Sequence, residues 1–156
     1  MGLMSASENP FELGTDGPAT IVAAIDGSLT SLRAAAYAGG LARRQGSRLL
    51  AIYVESVGAV GALASVSAAG AAAARAGTEA TAGDLRRLVD LARQRGVELT
   101  LTTRTGDPYT EITRFAEEVR ADALVVGASE HLGHRLVGSL AVRLVRAGRW
   151  PVTVVP

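Results

Sequence analysis

The amino-acid sequence predicts an α/β fold in which a parallel β-sheet is covered by helices on both faces. Short apolar runs alternate with segments of helical periodicity, in the order β-α-β-α-β-α-β-α-β. Strands that alternate with helices pair in parallel through right-handed crossovers. The apolar runs are also bounded by glycine, proline or aspartate, which are typical of strand ends and helix starts.

The composition narrows the class of protein. The chain has 156 residues, 48% of them hydrophobic, and a net charge of +1, which favours one domain with a real core and no nucleic-acid partner. We expect neither a membrane span nor a secretory signal. Cysteine is absent, which excludes thiol chemistry and fits a cytoplasmic protein. All 16 basic residues are arginine, so a P-loop lysine is excluded as well.

The first elements are predicted from local signals. Residues 1–18 are polar and aperiodic, so we expect a flexible tail before a folded domain at 19–156. The apolar run 20–25 is expected to be a strand that ends in a turn. Ser28 or Thr30 can cap the following helix, which should end before Gly46. Its predicted sheet-facing side consists of Leu32, Ala35, Ala36 and Gly39.

The middle of the chain contains a strand, a low-complexity stretch and an amphipathic helix. We expect the strand at 48–54. Residues 58–83 are mostly Ala, Gly, Ser, Val and Thr, which favours a mobile loop grading into helix. Residues 84–95 are expected to form a helix whose apolar positions are Leu85, Leu88, Val89 and Ala92.

The last third completes the alternation. Apolar residues alternate with polar ones from Val97 to Leu101, as in a half-covered strand. Asp107-Pro108 then indicates a helix start. The core stripe expected for that helix is Ile112, Phe115, Ala116 and Val119. The remaining elements expected are a strand at 124–126, a helix beginning at Gly138-Ser139 and a final strand at 152–155.

The strongest functional signal is the segment from Gly127 to Ser139. A strand ends there in a glycine-containing loop that restarts as a helix. Such a loop suits an anion, because glycine lets backbone N–H groups approach phosphate and the helix start adds unpaired donors. The ends of the first two strands, Ile25-Asp26-Gly27 and Val54-Glu55, should meet it, since ligands bind beyond the carboxyl ends of parallel strands.

Five segments together resemble the universal stress protein family over about residues 19–156. They are Ile21 to Ser28, Thr105-Gly-Asp-Pro108, Ala121-Asp-Ala-Leu-Val-Val-Gly127, Gly138-Ser139 and Arg149-Trp-Pro-Val-Thr-Val-Val155. The resemblance implies a Rossmann-like fold of the adenine nucleotide alpha hydrolase type, with five strands in the order 3-2-1-4-5. It also implies a homodimer formed through the last strand, and many members of the family bind ATP or a related adenine nucleotide.

The resemblance implies roles for individual residues as well. Asp26 and its neighbours would lie against adenine, and Val54 would line the base or ribose pocket. Gly127 would begin the phosphate loop, and the helix start at Gly138 would hold the phosphates. The implied nucleotide-binding set is Ala24, Ile25, Asp26, Val54, Val126, Gly127, Ser129, Gly133, Gly138, Ser139, Leu140 and Ala141. No catalytic residue or protein metal ligand is implied, and Mg²⁺ is expected only together with a nucleotide.

The phosphate loop departs from the pattern of ATP-binding members. Those have Gly, two residues, Gly, nine residues, then Gly with Ser or Thr. In this chain, Glu130 occupies the position of the second glycine, and ten residues separate Gly127 from Gly138. Gly133 is the candidate replacement. Because a carboxylate repels phosphate unless it turns away or holds a cation, we expect weak contact with a terminal phosphate.

Several alternatives stay open at the level of residues. Asp26 can be a turn residue that caps a helix, or it can face a ligand. Gly138-Ser139 can be a plain helix cap, a phosphate site or both. His131 and His134 are too few ligands for a metal site, but one of them can contact phosphate.

Three classes of function follow from these alternatives. The first is a stress-response protein that binds ATP, ADP or AMP with little turnover. The second is a dimeric interaction protein whose site is empty and whose protein partners are unknown. The third is a slow ATPase, which ranks last because no general base is evident beyond Asp26, Glu130 and the two histidines.

Overall fold

The computed structural model describes residues 17–56, 68–128 and 139–156. Its strands are β1 (Thr20–Ile25), β2 (Arg48–Glu55), β3 (Leu99–Thr105), β4 (Ala123–Gly127) and β5 (Val152–Val155). Its helices are α1 (Leu29–Gln45), α2 (Ala68–Gln94), α3 (Pro108–Glu118) and α4 (Ser139–Ala147). Strands and helices alternate as the sequence predicts.

The strands form one five-stranded sheet in the order β3-β2-β1-β4-β5, and every neighbouring pair is parallel. The predicted fold class and strand order are therefore confirmed. The chain moves outward from β1 in one direction through β2 and β3, and in the other through β4 and β5. The crevice beyond the carboxyl ends of β1 and β4 is the switch point at which ligands bind in such sheets.

Helices cover both faces of the sheet, as predicted. On one face, α3 and α4 pack against alternate apolar residues of the strands, among them Val22, Ile52 and Leu124. On the other face, α1 and α2 cover the intervening residues, among them Ile21 and Leu49. Burial on both faces explains why the central strands are continuous apolar runs rather than alternating ones.

Helix α1 begins and ends where the sequence predicts, but its buried face differs from the predicted one. The hydroxyl of Ser28 caps its first turn, and Gly46 ends it with a left-handed backbone at φ 67°. Ala35 and Gly39 are buried as predicted, whereas Leu32 is only half-buried and Ala36 is exposed, so that half of the predicted face was wrong. The fully buried positions include Ala34, Ala38 and Ala42, a spacing of four residues. Alanine occurs at both buried and exposed positions of the helix, so apolar periodicity alone could not select the face.

Helix α2 is much longer than the predicted helix at 84–95. It begins at Ala68, so the stretch expected to grade from loop into helix is helical throughout residues 68–83, including Ala71 to Arg75, which alanine propensity already favoured as helix. Alanine is the strongest helix former, and its preference accumulates over such a stretch. The rest of the predicted loop, 57–67, lies outside the described residues. The predicted amphipathic half is confirmed, because Leu85 is buried and Leu88, Val89 and Ala92 are half-buried.

The described chain begins against the turn between α1 and β2. The Pro18 carbonyl accepts a hydrogen bond from the Ser47 hydroxyl, and the Ala19 N–H donates to the Asp122 carboxylate over 2.9 Å. The expected flexible tail lies outside the described residues apart from Gly17 and Pro18. None of the helices in the described ranges combines the length and apolar character that a membrane span needs.

Candidate functional site

A cleft of about 250 Å³ lies beyond the carboxyl ends of β1, β2 and β4. Its lining includes seven of the predicted nucleotide-binding residues, namely Ala24, Ile25, Asp26, Val54, Val126, Gly127 and Leu140. Residues from four separate segments therefore meet at the predicted switch point. The lining is mainly apolar, and Asp26, Ser28, Ser31 and Ser56 add a carboxylate and hydroxyl groups to it.

Asp26 is held in a compact turn by its neighbours. The N–H of Ser28 donates to the Asp26 carboxylate over 2.9 Å, and the Asp26 N–H donates to the Ser31 hydroxyl over 3.3 Å. The Ser31 hydroxyl in turn donates to the Ser28 carbonyl over 2.9 Å. Asp26 thus shapes the turn, while Ser28 is the actual cap of α1. Since Asp26 also lines the cleft, the two roles considered for it are compatible.

The carboxyl group of Asp26 is ionised near neutral pH. Its partial burial raises the pKa, but hydrogen bonding with Ser28 and Ser31 outweighs burial and holds the pKa below its ordinary value. On the neighbouring strand, burial and the negative charge of Glu55 raise the pKa of the Tyr53 hydroxyl, and Asp26 adds to this effect. Tyr53 and Glu55 alternate with the cleft-lining Ile52 and Val54, so Asp26 is the carboxylate that faces the described cleft. Its negative charge favours hydrogen-bond donors over phosphate on the β1 side.

Gly127 has a packing role that the sequence did not reveal. A Cβ added there would lie 2.6 Å from the backbone nitrogen of Ser31 and 2.6 Å from the carbonyl carbon of Thr30. These are backbone atoms that cannot rotate away. The Thr30 hydroxyl also donates to the Ala128 carbonyl over 2.6 Å. The end of β4 is thus fixed against the first turn of α1 before the predicted phosphate loop begins.

The start of α4 forms another part of the cleft wall. Leu140 lines the cleft, whereas the side chain of Ala141 is buried in the core. Ser139 is the first residue of the helix, but the structure describes only its backbone. Ser129, Gly133 and Gly138 lie outside the described residues, as do Glu130 and both histidines. Their predicted contacts with phosphate stay predictions.

The first turn of α3 forms the opposite wall and is tied to α4. Pro108 and Ile112 line the cleft. Next to them, the guanidinium of Arg143 lies 3.8 Å from an oxygen of Asp107 and 4.1 Å from the centre of the Tyr109 ring. An ion pair and a cation–π contact therefore join the two helices that border the cleft.

Sequence reasoning missed several lining residues. They are Ser28, Ser31, Ile52, Ser56, Pro108 and Ile112. Two signals could have identified some of them. Ile52 precedes the predicted Val54 by two residues, so both point to one face of β2. Ser56 and Pro108 follow the carboxyl ends of neighbouring parallel strands, and such positions share one edge of a sheet.

The described ranges contain no group of three or more histidine, aspartate or glutamate side chains arranged to hold a metal ion. This part of the cleft offers hydrogen-bond acceptors and apolar surface to a ligand. It is therefore suited to binding an organic ligand.

Comparisons with known proteins place this geometry in context. The model of the universal stress protein family matches residues 19–156. A universal stress protein of Methanocaldococcus jannaschii is 33% identical over 137 residues, which cover 86% of this chain and 80% of that protein. Among solved structures, a universal stress protein in complex with cAMP is 28% identical, with a TM-score of 0.65 over 89% of this chain and 97% of that one. Universal stress protein UspA from Lactobacillus plantarum is 24% identical, with a TM-score of 0.73 over 88% of this chain and 97% of that one.

Proposed function

The chain belongs to the universal stress protein family, and from this premise we propose that it is a stress-response protein that binds an adenine nucleotide with little turnover. We further propose that it acts as a cytoplasmic homodimer. The observation that carries the proposal is the cleft at the switch point, where Asp26 and the start of α4 border one space. An acceptor and a helix N-terminus at the two ends of one cleft suit a base and a phosphate respectively.

The base belongs on the side of Asp26. The adenine amino group is a hydrogen-bond donor, and the Asp26 carboxylate is an ionised acceptor on the cleft rim. Val54 and Val126 offer apolar surface to the ring or ribose. The described part of the cleft has a volume of about 250 Å³, close to the roughly 300 Å³ at which small-molecule sites begin.

The phosphates belong at the start of α4, away from the negative charge of Asp26 at the end of β1. The first N–H groups of a helix have no partners within it, and the helix dipole favours an anion there. Glu130 replaces a glycine of the family pattern in the preceding loop. We therefore propose that recognition depends on adenine, ribose and one or two phosphates more than on a γ-phosphate.

A solved relative supports this emphasis on few phosphates. It is 28% identical to this chain and is described in complex with cAMP, a nucleotide with a single phosphate group. The likeness covers 89% of this chain.

Titration calorimetry with ATP, ADP and AMP tests the proposal. We expect micromolar-range affinity, with ADP or AMP not much weaker than ATP, and negligible hydrolysis. A charge-assisted contact contributes about 1.5–3 kcal/mol, or roughly one to two decades in affinity. ATP binding a hundredfold tighter than ADP would therefore contradict the proposed phosphate contacts.

Three variants locate the site. Asp26→Asn should weaken the binding of all three nucleotides alike. Asp84→Asn, on the exposed side of α2, should leave their binding unchanged. Gly138→Val should weaken binding at least about tenfold by blocking the approach of a phosphate to backbone N–H groups. Glu130→Gly should raise the affinity for ATP more than the affinity for AMP. Circular dichroism of each variant controls for folding.

The second candidate is a dimeric interaction protein of the same fold with an empty site. The departure of the phosphate loop from the family pattern at Glu130 favours it. This candidate prevails if no adenine nucleotide binds at millimolar concentration while the dimer persists.

A further inference from the structure

A second groove lies between the C-terminal halves of α1 and α2, away from the nucleotide cleft. It encloses about 280 Å³ and is mainly apolar. On the α1 side, Gly39 and Gly40 have no side chains to fill the groove. On the α2 side, Leu88 and Leu91 form its wall. Leu91 is 45% exposed, so apolar surface along this groove remains accessible. Such a surface is commonly covered by another part of the protein or by a partner.

Two arginines border this groove, Arg43 on α1 and Arg95 just beyond the end of α2. Over residues 17–56, 68–128 and 139–156, neither guanidinium lies within ion-pair distance of a carboxylate. The groove therefore combines apolar walls with positive charge on both sides. A matching occupant carries apolar side chains next to carboxylates.

The chain N-terminal to Gly17 starts beside this groove. A Cβ added to Gly17 would lie 3.6 Å from the side-chain oxygen of Gln45, which is the last residue of α1. Gln45 follows Arg43 by two positions. The N-terminal segment, residues 1–16, is thus attached to the fold at the arginine-bearing end of the groove.

The composition of the N-terminal segment matches the groove. It contains three carboxylates, Glu8, Glu12 and Asp16, and neither lysine nor arginine. Phe11 and Leu13 flank one of these carboxylates. An extended chain from Phe11 to Gly17 reaches about 20 Å, whereas the groove follows α1 for only about 12 Å. Phe11 can therefore reach any part of it, and Leu13 can reach the part nearer to Gly17.

We propose that the N-terminal segment docks in this groove of its own chain, with Phe11 and Leu13 between α1 and α2 and its carboxylates beside Arg43 and Arg95. Tethering favours this occupant over a free one, because a short linker gives an effective concentration in the millimolar range. A second copy offering the same groove is disfavoured, since its arginines would repel these.

Spin labelling tests the proposal directly, because the chain has no cysteine and a single one can be introduced. In Asn9→Cys, a nitroxide should broaden the amide resonances of Leu88, Leu91 and Val97 more than those of α4. Labelled chains diluted into unlabelled isotope-enriched chains separate docking in cis from docking in trans. At an affinity in the millimolar range, about half of the molecules should be docked.

Matched variants identify the contacts. Arg43→Glu with Arg95→Glu should reduce the broadening, and Glu8→Arg with Glu12→Arg in that background should restore it. Arg33→Glu with Arg86→Glu, at exposed positions on the same helices outside the groove, should change nothing. Phe11→Ser with Leu13→Ser should abolish the effect without altering the folded core, which amide chemical shifts of the sheet verify.

Three results would overturn the proposal. One is broadening that falls off equally in all directions from Gly17, as from a free tail, without preference for the groove. Another is broadening that appears only between chains, which would assign the groove to a second copy. The last is an equal loss of broadening when Arg33 and Arg86 are replaced by glutamate. That result would show that the effect depends only on net charge and not on the groove.

Discussion

The α-carbon of Gly127 lies against the backbone of Thr30 and Ser31, so a methyl group at this position has no space. Gly127→Ala should push β4 away from α1 and lower the free energy of unfolding by about 1–3 kcal/mol, as overpacked cores do. Urea denaturation measures this change.

Gly77→Ala is the matched control for that substitution. Gly77 lies within α2, and a Cβ there would meet nothing within 4 Å. Alanine should instead raise the free energy of unfolding by about 0.5–1 kcal/mol, because it favours the helical backbone. Equal effects of the two substitutions would refute the close-packing role of Gly127.

At the scale of the element, α3 depends on Asp107 as its N-cap. The Asp107 carboxylate accepts hydrogen bonds from the N–H of Thr110 over 2.9 Å and from its hydroxyl over 2.8 Å. Asp107→Ala should cost about 0.5–2 kcal/mol of stability, whereas Asp107→Asn, which keeps the acceptor, should cost less.

The same cap has a pH dependence of known sign. The hydrogen bonds from Thr110 hold the pKa of Asp107 below its ordinary value of 3.8. Its charge therefore stabilises the fold above about pH 3.8, and this contribution disappears as the pH falls through the lowered pKa. The stability difference between wild type and Asp107→Asn should shrink between pH 5 and pH 3 in parallel urea titrations. A difference that stays constant over this range would show that the charge of Asp107 contributes nothing.

Helix α2 should exchange its amide hydrogens unevenly. Ala69, Ala72, Ala76 and Ala80 are exposed in its first half, whereas Leu85 is buried in its second half. Because these described positions are exposed, we expect faster hydrogen exchange over 68–83 than over 84–94. Uniform protection would mean that the whole helix opens as one unit. Protection of the first half that depends on nucleotide would show that it closes over the site.

How well the sequence predicted each element depends on the range of the interactions that define it. Ser28, Gly46 and Asp107 act on their own helix ends, so local signals identified them correctly. The buried face of α1 depends on what lies beneath it, and a surface of alanine and glycine gives periodicity nothing to select. The same limit applies to the site, since the contact of Gly127 with Ser31 joins residues that are far apart in sequence.

For the whole molecule, the open edge of β5 predicts how two chains associate. The carbonyls of Pro151 and Val155 accept hydrogen bonds from β4. Backbone groups alternate in direction along a strand, so the N–H groups of Val152 and Val154 point to the open edge. We expect a two-fold dimer in which β5 meets its copy, with Trp150 nearby.

Light scattering at micromolar concentration measures this assembly. Val154→Pro removes one N–H from the open edge and should produce monomers, whereas Val154→Thr keeps that N–H and should stay dimeric. A monomeric wild-type protein would contradict the proposed dimer. A dimer that survives Val154→Pro would place the interface elsewhere.

The contact between the end of β4 and the first turn of α1 also sets a rule for engineering. Gly127 and Ala128 are fixed to α1 on one side, and Ser139 begins α4 on the other. The ten residues 129–138 therefore form an exchangeable cassette between two anchored junctions. A loop transplanted from a relative should be accepted when both junctions are retained, and rejected when the transplant replaces Gly127. Ligand preference could then be reprogrammed without redesigning the scaffold.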